Sequence, residues 1–365
     1  MAVPTWPAIT PGEAAAVLAR YPAAGEMRAL LWHSPRPFSA ATLIETRGGG
    51  LLLKRHDRRV RDVAGVAEEH RFVAHLAAAG APVPALLRTA DGTSAVAIGP
   101  WTYELQRQAS GDDLYRDRPS WTPFLTLDHA HAAGRALARL HRAAQGFDAP
   151  PRRVQPLVAS LTVLAAADPM AALDAYVAAR PALAAWLAGR PWRRRLASLF
   201  ATLGQGLAPI VARQARLWTH NDWHPSNLLW SADGGVQTVL DFGLSDRSCA
   251  AHDLATAIER SAIAWLELGQ GRDEAIGDPV AAQALVAGYE SVAPADRALV
   301  ATAVRLLPLV HVEFALSEID YFAGVVGDRA AAALAWETYL FGHAEWFLSP
   351  SGQTFLEHCA AGRRG

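Results

Sequence analysis

His220-Asn221-Asp222-Trp223-His224-Pro225-Ser226-Asn227 leads into an apolar run, Leu228 to Trp230. A turn at Asp233-Gly234-Gly235 follows, then a second apolar run, Val236 to Leu240, and the close Asp241-Phe242-Gly243. Asp-Gly between two short β-prone runs is a strong hairpin signal. With a loop of about two or three residues, Asn227 on the outgoing strand falls opposite Leu240 or Asp241 on the return strand. Paired strands lie about 5 Å apart, so an amide oxygen and a carboxylate can both reach one Mg²⁺ at roughly 2.1 Å. Asp222 stands on the loop entering that end, where a base would stand.

Phosphoryl transfer asks little covalent work of a protein. It must align a hydroxyl, hold metal on the phosphates and neutralise charge, and three acidic or amide groups suffice. His-x-Asp-x-x-x-x-Asn followed by Asp-Phe-Gly resembles the catalytic and metal-binding loops of the kinase superfamily. More narrowly, it resembles the aminoglycoside phosphotransferase and choline kinase group. That resemblance implies that Asp222 is the catalytic base, that Asn227 and Asp241 bind Mg²⁺, and that ATP is the phosphate donor. Asn221 stands where the family most often has glycine, a change that bears on the conformation of the loop rather than on its chemistry.

Upstream, Leu51-Leu52-Leu53-Lys54 reads as a strand carrying one lysine out of an apolar run. The next helix, roughly Val60 to Ala79, has an apolar stripe at Val66, Val73 and Leu76. Glu69 lies on this stripe, whereas Glu68 is rotated off it. A carboxylate facing inward needs a partner, and Lys54 is the evident one. The resemblance makes this the lysine–glutamate pair of kinases, with Lys54 on the nucleotide α- and β-phosphates. There is no Gly-x-Gly-x-x-Gly, and the turn that would cover the phosphates is Ser34-Pro35-Arg36-Pro37, leaving Ser34 or Arg36 to contact them. Strands at Met27–His33, Ala40–Glu45, Leu51–Lys54, Ala95–Ile98 and Thr102–Gln108 complete an amino-terminal lobe. Gln106 to Ala109 would then be the hinge that meets adenine.

At 365 residues the chain has ample core. Its 34 basic and 35 acidic side chains give a net charge of -1, so no overall field favours nucleic acid or an anionic membrane. Cys249 and Cys359 build no disulfide framework or zinc site. The opening Met-Ala-Val-Pro-Thr-Trp-Pro has no signal-peptide pattern, and no apolar run reaches membrane-spanning length. A cytoplasmic setting and a small-molecule partner are the expectation.

Beyond the hinge the pattern is helical. His252-Asp253-Leu254-Ala255 opens a helix from Ala250 to Arg260, and the resemblance implies that Asp253 braces the catalytic loop, with His220 in support. In His311-Val312-Glu313 through Tyr321, His311 and Glu318 share one helix face and Glu313 and Asp320 another. Acidic side chains there would suit an amine-bearing acceptor. The expected fold is α+β and bilobal, of the protein-kinase type: a five-stranded antiparallel lobe with one long helix over 1–106, and a mainly helical catalytic lobe over 107–365. Segments around 146–214 and 261–348 would bind the acceptor. The expected activity is ATP- and Mg²⁺-dependent transfer of the γ-phosphate to a hydroxyl of an amino sugar, hydroxy amino acid, amino alcohol or sugar. Alternatives are a protein serine/threonine kinase and a nucleotide-binding pseudokinase module, although the latter usually lacks one of Lys54, Asp222, Asn227 and Asp241.

Overall fold

Nine strands run in chain order: β1 (Met27–His33), β2 (Ala40–Thr46), β3 (Gly49–Asp57), β4 (Ala95–Ile98), β5 (Trp101–Arg107), β6 (Arg216–Thr219), β7 (Leu228–Trp230), β8 (Val236–Val239) and β9 (Asp246–Cys249). The computed structural model describes residues 4–158, 161–293 and 297–361, so the opening Met1–Val3 lies outside the described residues. The chain divides into two compact units. One comprises residues 1–120 and 228–243, the other 121–227 and 244–365.

The first unit is built on an antiparallel sheet ordered β1-β2-β3-β5-β4. Strand alternation decides what each face of β3 carries. Leu51, Leu53 and Arg55 point to one side, where helix α1 (Pro11–Leu18) buries Ala14, Val17 and Leu18 in the same core. Thr10 and Glu13 close a capping box at the start of α1, and Glu13 also receives Arg55 at 2.7 Å. Lys54 and His56 point to the opposite side of β3. Helix α2 (Val63–Ala78), capped by Asp62 on the Gly65 N–H, buries Val66, Glu69, Phe72, Val73 and Leu76, while Glu68 is only half-buried. The predicted stripe, with Glu69 inward, is the one that forms.

The hairpin joins this unit. Leu228 pairs with Val239 and Leu229 with Thr238, and a bulge shifts Trp230 opposite Val236. The connection therefore spans Ser231–Gly235, longer than the expected two or three residues. Asp233 caps the turn from within, accepting from Ser231 Oγ, and Gly234 supplies its positive φ of 81°.

The second unit is mainly helical. Helix α3 (Leu127–Ala143) lies against the helix Pro279–Val292 at the closest range. A Cβ on Gly134 would strike the Leu285 carbonyl, and one on Gly288 the His131 carbonyl. A two-stranded ladder, β6 with β9, pairs Trp218 with Arg247 and Thr219 with Asp246. It fixes the point at which the loop His220–Asn227 departs. Helices Ala250–Ser261 and Val312–Asp320 run through the interior, with every residue from Ala251 to Ser261 and from Val312 to Asp320 buried. No helix among the described residues is long and apolar enough to cross a membrane.

Candidate active site

In the second unit the loop is shaped from behind by Asp253. Its carboxylate accepts from the backbone N–H groups of His220, at 2.9 Å, and Asn221, at 2.7 Å. It also bonds His141 Nε2 at 2.9 Å, and His141 Nδ1 in turn meets the Tyr289 hydroxyl at 2.8 Å. Burial by itself would raise the Asp253 pKa, but the hydrogen bonds and charge of His141 and His220 hold it below the ordinary carboxylate value. His220 Nδ1 accepts from the Asp222 N–H at 3.1 Å, so both expected supporting residues touch the backbone that carries Asp222.

Asn221 adopts φ 59°, the left-handed conformation that glycine takes freely and asparagine tolerates. Its side chain ties the loop down. Oδ1 accepts from Thr219 Oγ1 at 2.8 Å and Ser248 Oγ at 3.1 Å, and Nδ2 donates to the Leu244 carbonyl at 3.3 Å. Asparagine thus keeps a glycine-like loop and adds an anchor to β6 and β9. Asn221→Leu is expected to lower stability by about 1–2 kcal/mol for the backbone alone. Asn221→Gly should cost less than Asn221→Leu in thermal melts, since it keeps the backbone and loses only the anchor.

The Asp222 carboxylate is surrounded by donors. Asn227 Nδ2 donates to its Oδ2 at 3.1 Å and to its backbone carbonyl at 2.9 Å. His224 Nε2 lies 3.4 Å from Oδ1, and Arg260 Nη1 is ion-paired with the same oxygen. Such a carboxylate is held in place and aimed, as an acceptor of a proton or hydrogen bond must be. Arg260 was legible only as the end of a helix. The available signal was its spacing, seven residues after Asp253, which is about two turns along one helix face.

In the first unit, Lys54 is buried directly opposite Glu104 in the β3–β5 register. Its Nζ lies 3.3 Å from Asp241 Oδ1. The expected pairing of Lys54 with Glu69 is corrected here, because Glu69 instead stands 3.6 Å from Arg61 Nη1. The reason is competition: three carboxylates, Asp241, Glu104 and Glu69, act on Lys54 in that order and Arg61 opposes them. Burial alone would lower the Lys54 pKa, but these carboxylates raise it. For Asp241, burial alone would raise the pKa, and Lys54 and Arg61 hold it far below the usual carboxylate range. Asp241 sits at φ 56°, strained for a residue with a Cβ, and its Oδ1 accepts from the Gly243 N–H at 3.3 Å. Glu104 is wholly buried and bonds His56 at 2.9 Å and His70 at 2.7 Å. Neither Arg61 nor Glu104 stands out in the sequence, since each reads as one polar residue among many.

The hinge expectation needs a change at Gln106. This residue lies inside β5, opposite Leu52 on one side and Leu86 on the other, and its side chain donates to Glu104 at 3.2 Å. A strand flanked on both edges offers no free edge to a ligand. The strand ends after Arg107, leaving Ala109, half-buried, on the segment that follows. In the turn after β1, the Ser34 hydroxyl accepts from the Arg36 N–H at 3.3 Å.

Of the three acids proposed for the acceptor, all are buried. Glu313 accepts from the N–H groups of Thr162 and Val163 and from the Thr162 hydroxyl, at 2.7–3.1 Å. Asp320 accepts from the Leu183 N–H at 3.0 Å. Both therefore tie neighbouring backbone segments together. Glu318 differs: among the described residues its Oε2 has no hydrogen-bond partner. Burial pushes its pKa up to about 8, with Arg260 opposing and Asp222 and Glu259 adding to the rise.

The fold is that of the protein-kinase-like α+β class, and the chain is a small-molecule kinase. It belongs to the phosphotransferase enzyme family, whose model matches residues 38–295. A homoserine kinase of Phenylobacterium zucineum (strain HLK1) is 29% identical over 275 residues, covering 70% of this chain and 68% of that protein. Among solved structures, an amicoumacin kinase in complex with AMP-PNP and Ca²⁺ superposes with a TM-score of 0.62 at 14% identity, over 94% of this chain and 97% of the other. A microcompartment-associated aminopropanol kinase superposes at 0.58 with 20% identity, over 93% and 98%. An aminoglycoside phosphotransferase of Alicyclobacillus acidocaldarius does so at 0.56 with 15% identity, over 98% and 97%.

Proposed function

We propose that the residues gathered around Asp222 and around Lys54 serve one reaction, transfer of the γ-phosphate of ATP to a hydroxyl of a small molecule in the cytoplasm. The observation that carries the reading is the Asp222 carboxylate, aimed by Arg260 and Asn227 on a loop whose backbone Asp253 holds. In that role Asp222 accepts the hydroxyl proton as the acceptor oxygen bonds to phosphorus. The bond from phosphorus to the bridging oxygen breaks, and ADP leaves with its electron pair. Lys54 steadies the α- and β-phosphates; three acidic neighbours keep it cationic for that task against the cost of its burial. Glu69 and Arg61 line its surroundings, and Ser34, Arg36 and Ala109 are the nearest candidates for nucleotide contacts on their segments.

Asn227 and Asp241 fit a divalent cation by donor type. Both present oxygen, the ligand that Mg²⁺ takes, and Asn227 commits Nδ2 to Asp222, which leaves Oδ1 as its ligand atom. When bound, Mg²⁺ would neutralise charge on the transferring phosphate. Asp241 now faces Lys54, so metal and phosphate would arrive together in place of that ion pair. The homoserine kinase relative and the fold shared with an aminopropanol kinase favour acceptors bearing an amine. The test is ADP release screened across amino sugars, hydroxy amino acids, amino alcohols and sugars, with and without Mg²⁺. Release that requires both Mg²⁺ and one acceptor class is expected. Phosphorylated protein in a lysate, with no small molecule labelled, would overturn the reading.

A further inference from the structure

A narrow pocket in the second unit is lined by Trp121, Phe314, Tyr339, Glu259, Arg260 and Glu318 among others. Two of its charged groups have unused hydrogen-bonding capacity. Glu318 is 3% exposed and among the described residues its Oε2 has no hydrogen-bond partner, an arrangement that is costly unless a ligand supplies a donor. Arg260 carries five N–H donors, and among the described residues makes one hydrogen bond, to Asp222. The walls between them are aromatic. The Arg260 guanidinium carbon lies 4.5 Å from the Phe314 ring centre and 5.3 Å from that of Trp121, so these faces already receive a cation. Trp121 is held at φ 65°, a conformation unfavourable for a bulky side chain, with its ring edge-on to Phe314, Tyr339 and His343.

A buried carboxyl oxygen without a hydrogen-bond partner among the described residues, beside a guanidinium with spare donors, is complementary to a ligand carrying both an ammonium and a carboxylate group. The pocket holds about 200 Å³ of empty space, its open mouth included. Arg260 lines this pocket and its Nη1 is ion-paired with Asp222, so the pocket lies beside the group that meets the acceptor hydroxyl.

We propose that the acceptor is a compact hydroxy amino acid, its ammonium group received by Glu318 and its carboxylate by Arg260, with the hydroxyl directed to Asp222. The proposal rests on the assignment of Asp222 as the group that meets the acceptor hydroxyl. It also gives Arg260 two partners. Nη1 stays on Asp222, and the remaining N–H donors go to the acceptor carboxylate.

The experiment compares kcat/KM for L-serine, L-threonine and L-homoserine with two truncations of the last, 3-aminopropan-1-ol and 4-hydroxybutanoate, and with kanamycin as a large amino sugar. One of the hydroxy amino acids should lead. For L-homoserine each truncation should lose at least about tenfold, the loss of one charge-assisted hydrogen bond. Glu318→Gln should lower kcat/KM for the amino acid by a similar factor, narrow its advantage over 4-hydroxybutanoate, and leave the KM for ATP unchanged. Arg260→Lys should narrow the advantage over 3-aminopropan-1-ol, and it keeps the test alive if Glu318→Gln fails to fold. Equal turnover of a truncated analogue, a preference for kanamycin, or unchanged ratios in both variants would overturn the acceptor assignment while leaving the kinase intact. ADP release by Asp222→Ala at the wild-type rate would instead overturn the reading on which the proposal stands.

Discussion

Asp222→Ala is expected to lower kcat by roughly 10²–10⁴-fold and to leave the binding of Mg²⁺-ATP nearly unchanged. The size follows from what the side chain does: it takes the proton of the attacking hydroxyl, a contribution that exists only as the new bond forms. The separation from nucleotide binding follows from its neighbours. Asp222 contacts Arg260, His224 and Asn227, whereas Lys54 and Asp241 form their own pair in the first unit. Single-turnover phosphate transfer alongside equilibrium titration with a fluorescent ATP analogue separates the two effects. An unchanged rate of transfer would remove Asp222 from the role of base. Asp222→Asn is the sharper variant, because it keeps a hydrogen-bond acceptor for Arg260 and removes only the proton-accepting charge.

The parts of this site that could be read in the sequence are those that local rules fix. Hairpin chemistry at Asp233-Gly234 joins the Asn227 and Asp241 segments through one pair of strands, and helical periodicity turns Glu69 inward and Glu68 away. The five strands and the long helix follow from alternation and punctuation in the same way. What was not legible depends on choice among several partners. Whether Glu69 or Asp241 sits nearest Lys54 is settled by three carboxylates and two cations competing in one buried region, and no local pattern ranks them. The same holds for Glu313, Glu318 and Asp320. Helical spacing sorts them into faces, but only packing against residues 162–163 and 183 makes two of them backbone ties. The short strands β6 and β9, four residues each, are too brief for periodicity to register.

Asp253→Ala is the second large expected effect, and it separates support of the loop from chemistry on it. The carboxylate is fully buried and is bonded by His220 N–H, Asn221 N–H and His141. Its removal leaves buried donors unpaired and His141 facing a void, an expected loss of about 3–5 kcal/mol. Part of that loss depends on pH in a predictable direction. The native pKa of Asp253 is lowered below that of the unfolded chain. Its contribution is therefore fully present above about pH 4 and is lost as the pH falls through the native value. Denaturant melts of wild type and Asp253→Ala should accordingly converge as the pH is taken down through the carboxylate range. In activity, the backbone of His220 and Asn221 would no longer be pinned, so kcat should fall even where the variant is folded, because Asp222 follows them in the chain. Asp253→Asn refines the distinction. It can still accept one backbone hydrogen bond, so it should recover part of the stability, but it cannot serve both N–H groups and His141 together. A variant that regains wild-type stability without regaining kcat would mean that the charge of Asp253 acts on Asp222 beyond holding the loop. Recovery of both together is the outcome that the three hydrogen bonds require.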